Sequence, residues 1–471
     1  MSKFYITTTL PYVNAEPHIG FAREIIMADV LARYHRLAGD EVFFNTGTDE
    51  HGLKVFRKAQ ELGVDVQKYC DEQAQSYKNL RGLLNLSWNS FIRTTDKNHI
   101  KAAQEFWRRC AANGYIAKKK YKIKYCIGCE LEKTESEVVG GCCPLHPDTS
   151  LEIIEEENYF FEFSKFQEKL LDLYGKNPNF VLPEKKFNEI KKFAEMGLED
   201  FSISRLKDKM PWGIEVPGDP EHVMYVWFDA LINYIVAVGW PDDLNKFNAW
   251  WPGVQIAGKD NLRQQSAMWQ AMLMAAGLSN SRQIFIGGFI TLGGQKMSKS
   301  LGNVIGPAQM VQKFGVDGTR YLLLTLGGFG EDVDVTLERL AEKYNGDLAN
   351  GLGNLVSRVI KLNEKFSVKS GQSSHKIEIS DELFSELRFK EILDTVNEQV
   401  TWANKYIEEK KLWELVKNDP KEAQKILGEL IDLVFSVAQT LTPFMPETSE
   451  KIKNILNLNK VEGSLFPRIS N

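Results

Sequence analysis

Four cysteines and one histidine carry the most explicit chemistry in this sequence. Cys126-Ile127-Gly128-Cys129 is followed by Cys143-Pro144-Leu145-His146, so two short turns each present a pair of soft donors. Such turns suit one tetrahedral Zn2+ held by three thiolates and an imidazole; with no position left open, its role is structural. Cys142 is an alternative third thiolate, whereas Cys143 keeps the two-residue spacing to His146. Six cysteines are too few to staple 471 residues, and four of them crowd into this segment, which points to a metal site in a reducing compartment. Two other strings suit phosphate chemistry. Pro17-His18-Ile19-Gly20-Phe21 lies between a β-rich run and a helical pattern, where a phosphate meets a helix dipole and unpaired N–H groups. Gly20 permits close approach, and His18 can donate to phosphate oxygens. The loop Gly294–Asn303 carries Lys296, Ser298, Lys299 and Ser300, side chains able to clamp a triphosphate and neutralise departing pyrophosphate.

The elements that must position these residues follow a strand–helix rhythm. Residues 3–9 and 41–45 read as strands, and helices are expected over 20–37 and near 52–62, 66–84 and 97–113. That order predicts a doubly wound parallel sheet. Asn113-Gly114 breaks it, and 115–160 is Lys-, Cys-, Gly- and Glu-rich and reads as poor in strands; amphipathic stretches follow near 164–175 and 184–196. The rhythm resumes with 224–228 as a strand, helices near 229–238 and 260–276, and strands at 254–257 and 283–286. Beyond about 335, helical patterns near 338–366, 381–410, 420–441 and 447–456 outline an α-helical bundle, with 368–376 as a linker. The expected organisation is an α/β domain made of 1–113 and 221–334, split by an inserted domain at 114–220 and followed by the bundle at 335–471.

Composition bounds the rest. Forty-three per cent apolar and 26% charged residues exclude wholesale disorder, and a net charge of −5 neither requires nor excludes a nucleic-acid partner. No apolar run is long enough to span a membrane, and the N-terminus lacks a signal peptide's apolar stretch. A cytoplasmic protein with no membrane partner is expected.

Together the motifs resemble the class I aminoacyl-tRNA synthetases, in which a His-Ile-Gly-His string and a Lys-Met-Ser-Lys-Ser loop occupy these places in a split Rossmann-like domain. The resemblance is strongest to the methionyl-tRNA synthetase family and covers almost the whole chain. Its amino-acid-binding segments match Thr9–Asn14, Thr46–Gly52 and Tyr225–Tyr234. It implies that Leu10, Tyr12, Trp227, Ala230, Tyr234 and Gln265 bind methionine, and aromatic rings suit a thioether. It implies further that Asp49 pairs with the substrate ammonium. Trp227 and Tyr234, seven residues apart, equally fit the core face of one helix. Gly258-Lys259-Asp260 matches the segment whose aspartate holds ribose hydroxyls, although Asp260 also suits a helix N-cap. ATP binding is then implied for His18, Gly20, Asp260, Lys296, Ser298 and Lys299, with His18, Gly20, Lys296 and Lys299 catalytic.

The implied reaction joins the carboxylate of methionine to the α-phosphate of Mg2+-bound ATP, then passes the aminoacyl group to the 3′ end of tRNA(Met), the initiator included. No covalent enzyme intermediate is required. The family's single zinc knuckle matches Cys126, Cys129, Cys143 and His146, and the lysine run at 118–124 suits either the tRNA acceptor end or a solvated hairpin. In the bundle, Asn350, Asn354 and Arg358 recur at helical spacing and Trp413 offers a stacking ring; the family reads a CAU anticodon at these positions. The chain ends soon after the bundle, so a monomer is expected. Three positions depart from the family pattern in one direction: Phe21, Gln265 and Gly287 stand where histidines are usual. Phe21 removes a phosphate donor, Gln265 keeps hydrogen bonding without charge, and Arg263 is a cation near enough in sequence to compensate. These losses raise the alternative of a tRNA-binding relative without activation chemistry. An Ile-, Leu- or Val-type synthetase is the other alternative, and those usually carry a larger insertion.

Overall fold

A computed structural model describes residues 2–128, 131–133, 138, 140–296, 304–371 and 376–470. Cys129, Ser298 and Lys299 lie outside the described residues, and Lys296 is described by its backbone alone. Six strands form the central sheet: β1 (Lys3–Thr8), β2 (Glu41–Thr48), β3 (Ser90–Arg93), β4 (Val181–Leu182), β5 (Val254–Ala257) and β6 (Gln283–Ile286). Their order is β3-β2-β1-β5-β6-β4, and every pairing is parallel. From Phe4 onward β1 is buried on both faces, which explains its unbroken apolar and threonine run. The chain winds from β1 outward to β3 and later resumes on the other side of β1 with β5. The strand order therefore reverses between β1 and β5, the place where open α/β sheets receive ligands beyond their strand C-termini.

The inserted segment departs from the sequence expectation. Far from poor in strands, it contains a long antiparallel ribbon in which Ile116–Cys126 pairs with Glu152–Phe161. A lysine-rich strand lies in register with a glutamate-rich one, so opposite charges stand where apolar alternation would normally mark a strand. Lys118 bonds Asp219 at 2.9 Å and Lys119 bonds Asp200 at 2.7 Å, which matches part of that lysine run inside the fold. The same segment supplies β4, the edge strand of the central sheet. Residues 224–228 do not form a sheet strand either. Asp219–Met224 belongs to a separate antiparallel sheet and a short helix begins at Val226. Tyr225, Val226 and Phe228 are all buried, and a short buried helix has the composition of a buried strand.

The C-terminal part is helical, with Asn354–Asn363, Phe389–Glu409, Pro420–Leu441 and Pro446–Leu458 as its main helices. The expected linker is anchored on both described flanks. Asn363 bonds both the N–H and the C=O of buried Val368 at 2.9 Å, and Ile377 N–H donates to Ser436 Oγ. Arg320, fully buried on helix Pro307–Thr325, ties the bundle to the α/β part. It donates to Asp29 on the first helix (2.8 Å) and to the carbonyls of Leu84, Pro443 and Phe444. Among the described residues, no helix is long and apolar enough to cross a membrane.

Candidate active site

The first helix, Ile19–Leu37, follows β1 through the connecting segment 9–18, and His18 is its N-cap. His18 Nδ1 accepts the Gly20 N–H at 3.0 Å, which leaves the ring proton on Nε2. A Cβ at Gly20 would lie 2.8 Å from His18 Cε1, so glycine is needed here for the cap itself. The neighbouring backbone donors are spent: Ile19 N–H donates to Ile305 C=O and Ala22 N–H to His18 C=O. The expected bed of open N–H groups is thus largely occupied, and His18 is left as the motif's polar side chain. Of the segments flanking the lysine loop, Ile305 is held at the start of the first helix by its bond to Ile19, and Gln295–Lys296 pairs against Ile290–Leu292.

Past the ends of β5 and β6, Gly258, Gly287 and Gly288 line a narrow cleft together with Gly20 and Glu24. A side chain at Gly288 would collide with the Glu331 carbonyl, 1.9 Å from an added Cβ. Glu24 escaped notice in the sequence, where a helical glutamate reads as solvated; its only signal is its position one turn beyond Gly20. It is half-buried, accepts both Thr9 N–H (3.0 Å) and Thr9 Oγ1, and desolvation of its carboxyl pushes it up to about 8, with Asp260 adding to the rise. Glu24 thus lines the cleft, and exposed Asp260 lies at its margin, its Oδ1 3.1 Å from where a Cβ on Gly258 would sit. Of the three replaced histidines, Gly287 lines the cleft, whereas Phe21 turns away from it. The Phe21 ring is buried edge-on against Tyr77, 5.6 Å between centroids. Arg263 lies over the Phe193 ring at 4.5 Å, on a helix of the inserted segment.

On the β2 side, Tyr12 forms a parallel bridge with Asp49, and its ring meets Trp227 edge-on at 6.2 Å. Asp49 is 2% exposed. Tyr234 and Ala230 are buried, Leu10 packs against the core cluster that contains Tyr234, and Gln265 Nε2 donates to Tyr234 Oη. Burial and the carboxyls of Glu24 and Asp49 raise Tyr234 above the ordinary phenol range, so the hydroxyl keeps its hydrogen and lies near enough to both carboxyls to feel them. Asp229, also unforeseen, fixes the wall. His51 Nδ1 and His99 Nε2 each bond one of its oxygens at 2.6 Å, joining the 46–52 segment to the 225–234 segment. Burial alone would raise that carboxyl, yet the two imidazoles hold it below the usual aspartate range.

The metal-ligand candidates converge. Donor atoms of Cys126, Cys143 and His146 lie within 4.8 Å of one another, with His146 Nδ1 at 3.7 Å from Cys126 Sγ and 4.0 Å from Cys143 Sγ. An added Cβ at Gly128 would sit 2.4 Å from the His146 ring, so the first turn wraps the imidazole closely. Two soft sulfurs and an imidazole nitrogen at one point fit a zinc-type ion. The centre also touches the aromatic wall: Lys54 Nζ donates to Gly128 C=O at 2.6 Å and lies 5.5 Å from the centre of the Tyr12 ring, and Ile127 packs beside Trp227.

In the bundle, Asn350 lies on a π-helical turn (Tyr344–Gly353), and Asn354 and Arg358 lie on the α-helix that continues it. Asn350 accepts from Arg468 at 2.8 Å, Asn354 donates to Asn404 at 3.1 Å, and Arg358 pairs with Glu408 at 2.7 Å. Trp413 is 40% exposed on the helix Leu412–Asn418.

A family model described as tRNA synthetases class I (M) matches residues 4–152 and 145–360. The methionine--tRNA ligase of Thermotoga maritima is 43% identical, the alignment covering 96% of this chain and 74% of that protein. That of Thermosynechococcus vestitus is 40% identical over 98% of this chain and 92% of its own length. Mycobacterium tuberculosis methionyl-tRNA synthetase in complex with methionyl-adenylate superposes with a TM-score of 0.88 at 36% identity, covering 100% of this chain and 98% of that one. On matches of this extent, the chain belongs to the methionyl-tRNA synthetase family of the class I tRNA synthetases.

Proposed function

We propose that this chain activates L-methionine with Mg2+-bound ATP and transfers it to the 3′ end of tRNA(Met), the initiator included. The observation that carries the reading is the meeting, at the strand-order reversal, of the glycine-lined cleft with the aromatic wall around Tyr12, Trp227 and Tyr234. A nucleotide and an apolar amino acid placed there have their α-phosphate and carboxylate side by side. A carboxylate oxygen of methionine attacks the α-phosphorus, the bond to the bridging oxygen breaks, and pyrophosphate leaves. The terminal ribose hydroxyl of tRNA then attacks the carbonyl carbon and AMP leaves.

Asp49 holds the ammonium group, and Leu10, Tyr12, Trp227, Ala230, Tyr234 and Gln265 form the side-chain pocket. His18 donates from Nε2 to the phosphates. Lys296, Ser298 and Lys299 neutralise the departing pyrophosphate, and Gly20 admits the nucleotide. Asp260, joined by Glu24, takes the ribose hydroxyls. Asn350, Asn354, Arg358 and Trp413 read the anticodon. Cys126, Cys129, Cys143 and His146 hold one structural Zn2+, which when bound closes the knuckle and takes no part in the reaction. We place the protein in the cytoplasm as a monomer.

The test is exchange of labelled pyrophosphate into ATP with methionine, isoleucine, leucine, valine or cysteine. Exchange with methionine alone is expected. Exchange with none, by folded and metal-loaded protein, would leave the tRNA-binding relative as the better account.

A further inference from the structure

Behind Tyr234 lies a series of buried polar side chains whose hydrogen bonds run in one direction. Ser281, Gln270, Gln255 and Gln265 are each at most 5% exposed. The Ser281 N–H, which can only donate, bonds Gln270 Oε1 at 3.1 Å. The Gln265 C=O, which can only accept, takes Gln270 Nε2 at 2.8 Å. These two backbone groups fix which way the Gln270 amide faces. Gln270 Nε2 also donates to Ser281 Oγ at 3.1 Å, so the Ser281 hydrogen must go elsewhere; it goes to Gln255 Oε1 at 2.6 Å. Gln255 Nε2 then donates to Gln265 Oε1 at 3.3 Å, and Gln265 Nε2 donates to Tyr234 Oη.

A series of this kind has two polarities, and here the backbone selects one. In the reverse sense Gln265 Oε1 would face Tyr234 and take the hydroxyl hydrogen, and the Ser281 hydrogen would lose its acceptor. In the observed sense Tyr234 receives a bond from Gln265, so its own hydrogen is directed to another acceptor. A histidine at 265 could present either a donor or an acceptor to Tyr234, according to tautomer. The glutamine has no such freedom once Gln255 faces it.

We infer that Ser281 and Gln255 are positioning residues that hold the Tyr234 hydroxyl as a hydrogen-bond donor toward the amino-acid pocket, favouring a side chain with an acceptor atom there over an all-carbon one of equal shape. The inference rests on the proposal that Tyr234 lines the methionine side-chain pocket. Neither Ser281 nor Gln255 is assigned a contact with substrate; both act through Gln265.

The experiment compares kcat/KM for methionine and for norleucine, its all-carbon isostere, in pyrophosphate exchange by the full chain. Four proteins are used: the unaltered chain, Ser281→Ala, Gln255→Glu and Tyr234→Phe. Ser281→Ala removes the group that sets the polarity. Gln255→Glu presents only an acceptor to Gln265 and so turns that amide over. Both are expected to lower the methionine-to-norleucine ratio roughly fivefold, the worth of one hydrogen bond, with norleucine values nearly unchanged. A purely structural role would lower both substrates together, and that result, or an unchanged ratio in a folded Ser281→Ala protein, overturns the inference. Should Gln255→Glu fail to fold, the Ser281→Ala result decides. If Tyr234→Phe leaves the ratio unchanged, the placement of Tyr234 in the pocket fails and the inference with it. If Tyr234→Phe lowers the ratio and the two relay variants do not, the pocket stands and the inference alone is refuted.

Discussion

His18 caps the first helix with one nitrogen and is proposed to serve the phosphates with the other, and substitution can separate the two. Nδ1 caps the first helix through Gly20 N–H at 3.0 Å, and Nε2 is the donor assigned to the phosphates. Asparagine caps helices as well as any residue, so His18→Asn keeps the cap and loses the distal donor; His18→Ala loses both. An N-cap is worth ~1 kcal/mol, which corresponds to about fivefold in exchange protection of the Gly20 amide. Removing one donor from developing charge costs roughly 100- to 1,000-fold in rate, about 2.7–4 kcal/mol. Hydrogen exchange over Pro17–Phe21 and methionine-dependent pyrophosphate exchange read the two effects separately. His18→Asn is expected to keep the protection and lose the rate, and His18→Ala to lose both. Retention of exchange within about threefold by His18→Asn would refute the assignment of Nε2. Loss of Gly20 protection in that variant would refute the cap.

Further outcomes follow from other parts of the structure. Arg320→Met leaves the carbonyls of Leu84, Pro443 and Phe444 without their buried donor, while Asp29 keeps Arg33 and Ser87, so the urea midpoint of the full chain should fall by an equivalent of ~1–3 kcal/mol; an unchanged midpoint contradicts a shared tie between bundle and sheet. Glu24 titrates at about 8 when folded and near 4.5 as an ordinary glutamate, so the native state holds an extra proton between those values. The stability it contributes is full below about 4.5 and is lost as pH rises through about 8; Glu24→Gln should flatten that part of the stability profile, and an unchanged slope refutes the burial argument. Cys143→Ala should release the bound metal, measured as zinc per chain, whereas Cys142→Ala retains it; the reverse pattern would exchange the two ligands.

What the sequence made legible depended on how local the physics was. β1, the first helix and its cap motif are set by neighbouring residues, and their positions are read directly from an unbroken β-rich run, helical spacing and Gly20. The convergence of Cys126, Cys143 and His146 was likewise encoded in short turns. A hairpin suits the lysine run from sequence alone, but its partner strand Glu152–Phe161 carries no apolar alternation to mark it, so the long ribbon was not foreseen. β3 is only four residues long and carries no alternation of its own. Phe21 shows what family position omits without packing: a phenylalanine there lacks a donor, and its ring is instead taken up by the core against Tyr77. Glu24, Asp229 and the Gln255–Gln265 series were invisible for a related reason, since each draws its role from partners far away in the chain.

The most direct test of the account is charging of a tRNA that carries a CAU anticodon. With ATP and methionine present, the account predicts methionine esterified to the terminal ribose, and a sharp loss of charging when the anticodon is altered or when Trp413 is replaced by alanine. Metal-loaded protein that binds this tRNA and forms no methionyl ester would contradict it.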